Sequence, residues 1–245
     1  MIRPGKILIA GAIVAAVLAI QFYLLPQRED EDIDQTANIP GQPIISWQKI
    51  KITEERKNVL IDITVPRIII GSSYNLDSEI NKAITWRVDL LKSEFISGVT
   101  TAAYDNGETN TLNVDTEILL MTPRLISLAF TSTQHLAGSK DKDPERMFLV
   151  FDLVNGELLK EGNELFRDDL AWSEAVKAMK MALLADYQGD PNCDLFFAPK
   201  HNGFAASCIG VDWNRGGKHL SLTGDISMSM IQEFLAPSVL SDIVQ

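Results

Sequence analysis

Residues 57–95 read KNVLIDITVPRIIIGSSYNLDSEINKAITWRVDLLKSEF, and they decide the fold class because a strand is followed directly by a helix. From Val59 to Val65 apolar and polar residues alternate and many are β-branched, which is typical of a half-buried strand. From Asp77 to Phe95 the apolar residues instead recur three and four positions apart, the spacing of one helix face. We expect Pro66 to make the strand an edge or to break it, and Ser97-Gly98 to end the helix.

The same two periodicities continue to the C-terminus. A second helix through Leu184 is predicted, with Asp168 or Asp169 as its N-terminal cap, and a short one from Ser227 to Leu235. Asn155-Gly156 is a predicted hairpin turn, because both residues tolerate positive φ. Strands, helix, strands, helix and strands in this order predict an α+β fold, with antiparallel sheets packed with two main helices. Further strands are predicted at residues 44–52, 112–121, 125–132, 147–154, 195–198, 204–211 and 219–222.

Residues 7–25, ILIAGAIVAAVLAIQFYLL, are predicted to form one N-terminal transmembrane helix. The segment carries no charge, and a helix of this length rises about 28 Å, close to the hydrocarbon thickness of a bilayer. A buried core helix is the bland alternative, but apolar residues on every face argue against it. A cleavable signal peptide is a second alternative. Its apolar region is usually shorter and ends in small residues, whereas this one ends in Phe22-Tyr23-Leu24-Leu25.

The cations beside this segment predict its orientation. Arg3 and Lys6 precede it, and Arg28 follows it and leads at once into acidic residues. Because Lys and Arg favour the cytoplasmic side, we expect a single-pass cell-membrane protein with its N-terminus inside. The polar, proline-containing stretch after it is typical of a flexible tether. The predicted organisation is a short cytoplasmic end at 1–6, the anchor at 7–25, a linker at 26–43 and an extracytoplasmic domain at 44–245.

The acidic composition excludes one class of partner. The chain has 22 Lys and Arg against 33 Asp and Glu, a formal net charge of −11. A nucleic-acid backbone is bound by neutralising its phosphates with cations, so we expect no nucleic-acid partner. Such a charge repels anionic lipid headgroups and attracts cationic proteins, although its simplest consequence is solubility.

Cys193 and Cys208 are the only two cysteines. In an exported domain an even number of cysteines suggests a disulfide, and we treat this pair as a candidate. The alternative is two buried thiols that behave as small apolar residues. The chain has no CxxC pattern, so neither a zinc ribbon nor a thioredoxin-like site is supported.

No catalytic constellation stands out. The sequence lacks GxSxG, HExxH, GxGxxG and GxxxxGK[ST], so we name no catalytic residue, expect no resident metal or cofactor, and leave the binding residues unassigned. The three histidines lie far apart in the sequence. A weak candidate polar cluster remains, in which four side chains could converge in space: Asp194, His201, Asp212 and His219.

Several stretches of the chain resemble a known domain. Residues 125–130 (LISLAF), 148–159 (FLVFDLVNGELL) and 163–166 (NELF) follow the pattern of an extracytoplasmic domain. That domain lies at the C-terminal end of the anti-sigma factor RsiV and in the N-terminal half of the deacetylase PdaC. Ile69 to Trp86 is similar to the segment that precedes this pattern. The resemblance implies a membrane-tethered α+β sensing or binding module that faces the cell envelope.

Neither relative's own activity is carried over. Six cytoplasmic residues are too few to hold a sigma factor, and PdaC owes its activity to a separate metal-binding domain that this chain lacks. Many members of the family also have a Gly-Gly-Ala-His stretch where this chain has Leu136-Ala137-Gly138-Ser139-Lys140, without the histidine. We therefore expect a non-enzymatic module that binds cell-wall glycan or a basic hydrolase. The alternatives are a wall-modifying hydrolase and a structural accessory protein of a membrane complex.

Overall fold

The computed structural model describes residues 27–35, 43–54, 58–70, 76–101, 107–139, 144–160, 162–189, 191–212 and 216–244. Within these ranges no helix has the length and apolarity that a membrane crossing requires. The predicted anchor at 7–25 lies outside the described residues.

The described residues form two sheets, and the larger has seven strands that lie side by side in chain order. Neighbours are antiparallel except β3 and β4, which pair in parallel from Val59 opposite Asn110 to Ile63 opposite Val114. The α+β class is confirmed, but this sheet is mixed and not purely antiparallel as predicted. Its strands are β1 (Gln27–Gln35), β2 (Ile44–Glu54), β3 (Val59–Ile69), β4 (Asn110–Met121), β5 (Leu125–His135), β6 (Glu145–Asp152) and β7 (Glu157–Leu158).

The parallel pair follows from the helix between its strands. Helix α1 (Leu76–Thr101) carries the chain back along the sheet, so that β4 starts at the same end as β3, as a crossover connection does. Its buried residues pack on one face of the sheet in a single hydrophobic cluster. That cluster includes Ile80, Ile84, Val88, Leu91 and Phe95 from the helix, and Ile63, Leu112, Leu128 and Phe151 from the strands.

Pro66 does not break β3 as predicted. The strand continues to Ile69, with Pro66 opposite Trp47 of β2. β4 pairs with β3 only as far as Ile63, and two residues beyond Pro66 the N–H of Ile68 donates to Asn81 Oδ1 of α1 at 2.9 Å. Backbone N–H groups two residues apart in a strand point to the same side, so the N–H that Pro66 lacks would point to the same side as that of Ile68. On that side β4 no longer pairs with β3, so no inter-strand hydrogen bond requires the donor.

Helix α1 also continues past Ser97-Gly98, where we predicted its end. Gly98 lies against Leu136, and a Cβ on this residue would come within 3.1 Å of Leu136 Cδ1. The glycine is thus explained by close packing of the helix on the β5 end and not by a helix stop. Tertiary packing of the last turns, including buried Val99, offsets the low helix propensity of one glycine.

The linker prediction also differs from the structure. Residues 27–35 form β1, which pairs antiparallel with β2 from Gln27 opposite Thr53 to Gln35 opposite Ser46. An exposed sheet edge offers main-chain donors and acceptors to any extended segment, independent of its side chains. Polar composition therefore did not reveal this strand. The rest of the predicted linker, apart from Pro43, lies outside the described residues.

The smaller sheet has three antiparallel strands: β8 (Pro191–Lys200), β9 (Gly203–Asp212) and β10 (Lys218–Ser227), with β9 in the centre. One face of this sheet packs near β6. Helix α2 (Asp169–Leu183) packs on the other face and contributes Ala171, Ala175 and Met179 to the hydrophobic core. The Asp168 side chain caps α2 by accepting from the N–H of Ala171 at 2.8 Å, as the sequence predicted.

The C-terminal residues form two short helices instead of the single predicted one. They are α3 (Met228–Ile231) and α4 (Pro237–Ile243), and a 3₁₀ turn (Asn163–Leu165) precedes α2. Ile231, Val239 and Ile243 are buried against the smaller sheet and α2. The described domain thus stacks α1, the larger sheet, the smaller sheet and the remaining helices in that order.

Candidate functional site

The structure does not bring the predicted polar cluster together. His201 lies in the exposed turn between β8 and β9, whereas Asp212 and His219 lie at the opposite end of the sheet. The ten residues of β9 separate the two ends by about 30 Å.

The remaining members lie on different faces of the smaller sheet. Asp194 is opposite Ile209 and His219 is opposite Val211, so by alternation both lie on the face away from that of Asp212. His219 Nε2 lies 3.1 Å from a carboxylate oxygen of Glu145 on β6. Within the part of the chain that the structure describes, no group of three or more His, Cys, Asp or Glu side chains is placed to hold a metal ion.

Asp212 instead belongs to a buried structural corner. Its Oδ2 accepts from the Tyr187 hydroxyl at 2.5 Å, and only 1% of the residue is exposed. Cys193 and Cys208 lie beside it on β8 and β9. They are joined in a disulfide with their Cα atoms 5.5 Å apart, and they pack against Leu220. The corner ties α2 to the smaller sheet, and its polar atoms are turned inward.

A groove on the other side of the molecule is a concave site with the size of a ligand pocket. It lies between α1 and the outer edge of the larger sheet, where β6 meets the short strand β7, and its volume is about 740 Å³. Ligand pockets commonly have volumes of roughly 300–1,000 Å³. The helix wall is formed by Glu79, Lys82, Ala83, Trp86 and Arg87, and the sheet wall by Phe148, Leu149, Phe151, Gly156, Leu158, Leu159 and Lys160.

Local structure explains why these residues line a groove. On α1 they recur at the spacing of one helix flank, directly beside the buried stripe of Ile80 and Ile84. On the sheet, β7 has only two residues, so it covers β6 only at Phe151 and Asp152. The Asp152 carboxylate holds the β6–β7 turn by accepting from the N–H groups of Val154 and Asn155. The turn ends at Gly156, whose φ of 73° favours glycine.

Trp86 and Arg87 are neighbouring groove residues, one aromatic and one charged. Trp86 is 57% exposed, unusually high for so large an aromatic residue. The Arg87 guanidinium carbon lies 5.3 Å from the centroid of the Trp86 ring, a cation–π distance. Arg87 Nη1 donates to Met147 Sδ at 3.5 Å, and the buried Nε has no hydrogen-bond partner among the described residues.

Burial is the main electrostatic influence on Arg87. It lowers the pKa of the guanidinium from its ordinary value, and the negative charge of Glu94 opposes this effect. Desolvation disfavours the charged form of a side chain. An anion bound in the groove would stabilise the positive charge of Arg87, because burial has removed part of the hydration of the guanidinium.

Sequence reasoning does not single out this site. Trp86 is one of the scattered tryptophans and tyrosines that could furnish a stacking surface for sugars, but most of them are more easily explained as partly buried core. The signal that could have found Trp86 is helical: it lies outside the stripe of Ile80, Ile84 and Val88 that the periodicity predicts to be buried. The sheet wall could not be inferred this way, because β6 and β7 come from a distant part of the chain.

No family model matches the chain, and no curated protein matches it. A crystal structure of a DUF3298 family protein from Pseudomonas aeruginosa PAO1 is similar, with a TM-score of 0.44 and 14% identity, over 88% of this chain and 98% of that one. A DUF3298 member from Bacteroides fragilis has a TM-score of 0.41 and 13% identity, over 89% and 98%.

A likeness of this degree carries no functional argument. Neither structure is described as the domain of RsiV or PdaC, so the sequence resemblance to that domain stays a prediction.

Proposed function

We propose that this protein is a membrane-anchored, extracytoplasmic binding module of the bacterial cell envelope, and that its groove holds a segment of cell-wall glycan. The observation that carries the proposal is Trp86, an exposed indole set in the wall of the groove between α1 and the β6–β7 edge. The apolar anchor and its flanking cations support the location.

The chemistry of the groove suits a sugar chain. The C–H faces of a pyranose ring pack on an aromatic ring, as apolar surface does. Polar and charged groups beside Trp86 can then contact hydroxyl and amide groups. An open groove, unlike a closed pocket, also gives a polymer access from solvent. Apolar walls with a few convergent polar groups are the usual composition of a ligand site.

Cosedimentation of the full-length protein in detergent with insoluble cell-wall material tests this proposal. We expect the wild type to pellet with the wall and Trp86→Ala to remain largely in the supernatant. The matched control is Leu170→Ala, because Leu170 on α2 is 72% exposed and does not line the groove. If the wild type stays in the supernatant, or if the two variants pellet alike, the groove is not the glycan site.

The anchor has a separate test. A reporter enzyme fused after Gln245 should be active when it requires export and inactive when it requires the cytosol. The opposite pattern, or a full-length protein that stays soluble without detergent, would remove the envelope-facing location.

The net charge of −11 supports a second candidate, a basic wall hydrolase as the partner. Such a complex should form at low salt and dissociate as salt screens the charges. The wall-modifying hydrolase is less well supported, because Asp194, His201, Asp212 and His219 lie on different faces or ends of one sheet. An accessory role in a membrane complex would be favoured by copurification with other membrane proteins.

A further inference from the structure

We infer that the groove selects a sugar that carries a carboxylate: the ring packs on Trp86, while the carboxylate pairs with Arg87 and is drawn in by Lys160. The inference rests on the proposed function, because it names the chemical class of glycan that the same groove would take.

The state of Arg87 is the first reason. A guanidinium has five N–H donors, and among the described residues its only hydrogen-bond acceptor is the thioether sulfur of Met147, which is a weak one. No described carboxylate forms an ion pair with it, and its Nε is buried without a partner. A half-buried cation with donors to spare is the group that a ligand carboxylate satisfies best, since charge-assisted hydrogen bonds are the strong ones.

The charge balance of the groove is the second reason. Lys82 Nζ lies 2.6 Å from Glu79 Oε1, so this lysine is already neutralised by a groove residue. Lys160 on the opposite wall has no ion pair with a described carboxylate. The groove therefore carries two cations, Arg87 and Lys160, that form no ion pair with a described carboxylate, and only the longer-range charge of Glu94 acts on Arg87, in a chain whose net charge is −11. Local positive potential in an otherwise negative surface concentrates and orients anions at that place.

The neighbouring indole narrows the class of anion. Trp86 lies next to Arg87 in both sequence and space. A ligand that contacts both side chains must carry its charged group close to a flat apolar ring face. An acidic sugar does so, whereas a polyol phosphate chain has the charge without the ring. Stacking and ion pairing then act on the same sugar unit, which favours it over neutral sugars that can only stack.

The experiment compares two soluble probes by titration calorimetry with the full-length protein in detergent. One probe is the disaccharide of N-acetylglucosamine and N-acetylmuramic acid with a free carboxylate, and the other is its neutral methyl amide. We expect the acid to bind about tenfold more tightly than the amide, as one charge-assisted hydrogen bond allows. Raising the salt concentration should reduce the difference.

Two variants test the cations. Arg87→Gln should bring the affinities for the acid and for the amide to within about twofold of each other. Lys160→Gln should reduce the difference between these two affinities only in part. Lys160 is exposed, so its variant remains informative even if Arg87→Gln disturbs packing at Met147. The matched control is Arg67→Gln, because Arg67 on β3 is exposed and does not line the groove; it should leave both affinities unchanged.

The outcomes separate this inference from the proposed function. Equal binding of acid and amide by the wild type would overturn the carboxylate selection and leave glycan binding intact. An acid preference that survives both cation variants would also overturn it. If neither probe binds and wall material is not retained either, the proposed function itself fails.

Discussion

Reduction of the disulfide between Cys193 and Cys208 should lower the free energy of unfolding by about 3 kcal/mol. The bridge joins residues 15 apart in the sequence, and a loop of this size restricts the unfolded chain by that amount in the chain-entropy model. Both residues are buried beside Leu220. The reduced thiols therefore keep their apolar surroundings, and most of the effect should come from the unfolded state.

Urea unfolding with and without a reductant measures this effect. With a denaturant slope of about 1–3 kcal/mol/M, a loss of 3 kcal/mol moves the midpoint down by about 1–3 M. Mass spectrometry of the alkylated protein establishes that the reductant opened the bridge. The control is the double variant Cys193→Ala/Cys208→Ala, whose midpoint should not respond to reductant. A wild-type midpoint that stays in place after the bridge is shown to be open would refute the reasoning.

Three further predictions concern stability. Asp168→Ala removes the acceptor for the Ala171 N–H at the start of α2, and should cost about 1 kcal/mol in urea unfolding. Phe95→Ala leaves a cavity between α1 and the larger sheet where Phe95 is fully buried, and should cost about 3–5 kcal/mol in the same assay. Burial raises the pKa of Asp242 above 3.8, with Arg124 opposing and Asp152 reinforcing the shift. The folded state then binds this proton more tightly than the unfolded state. Loss of the proton therefore lowers the free energy of unfolding as pH rises from the unfolded-state pKa of 3.8 through the raised folded-state pKa. Asp242→Asn should therefore be more stable than the wild type at neutral pH, with the difference disappearing below pH 3.8 in unfolding measured across pH.

Each of these has its own control. Asp168→Asn keeps a capping oxygen and should lose much less than Asp168→Ala; equal losses would mean that the cap is not the cause. Trp86→Ala removes an exposed aromatic from the same helix as Phe95, and a loss as large as that of Phe95→Ala would contradict the assigned core. A stability difference for Asp242→Asn that does not change with pH would show that the Asp242 charge is not responsible.

Local patterns predicted the elements better than their arrangement. The α2 cap at Asp168 follows from side-chain chemistry within a few residues and is found in the structure. A turn is also found at Asn155-Gly156, but it spans residues 153–156 between Asp152 and Glu157, and only Gly156 of the predicted pair has positive φ. The parallel pairing of β3 with β4 depends on the end of the sheet to which α1 carries the chain. The apolar periodicity of the sequence does not indicate this. Pro66 was misjudged for the same reason, since its tolerance depends on β4 having already left the ladder at Ile63.

The limits at the candidate site were similar. Alternation along a strand is clear from sequence, but its registration against a neighbouring strand is not. Asp194 and Asp212 could therefore be proposed as one cluster although they lie on opposite faces of the smaller sheet. The groove required two segments far apart in sequence, the flank of α1 with Trp86 and the β6–β7 edge near Phe148, to lie side by side.

The most direct test of the central claim is a nuclear magnetic resonance titration of the isotopically labelled full-length protein in detergent with muramic-acid-containing glycan fragments. The account predicts that the Trp86 indole signal and the backbone signals of residues 82–87 and 148–160 shift together and saturate. Signals around the disulfide corner at Cys193 and Asp212 should stay in place. Shifts confined to that corner, or no saturable shift in the groove, would contradict the claim that this groove is the binding site.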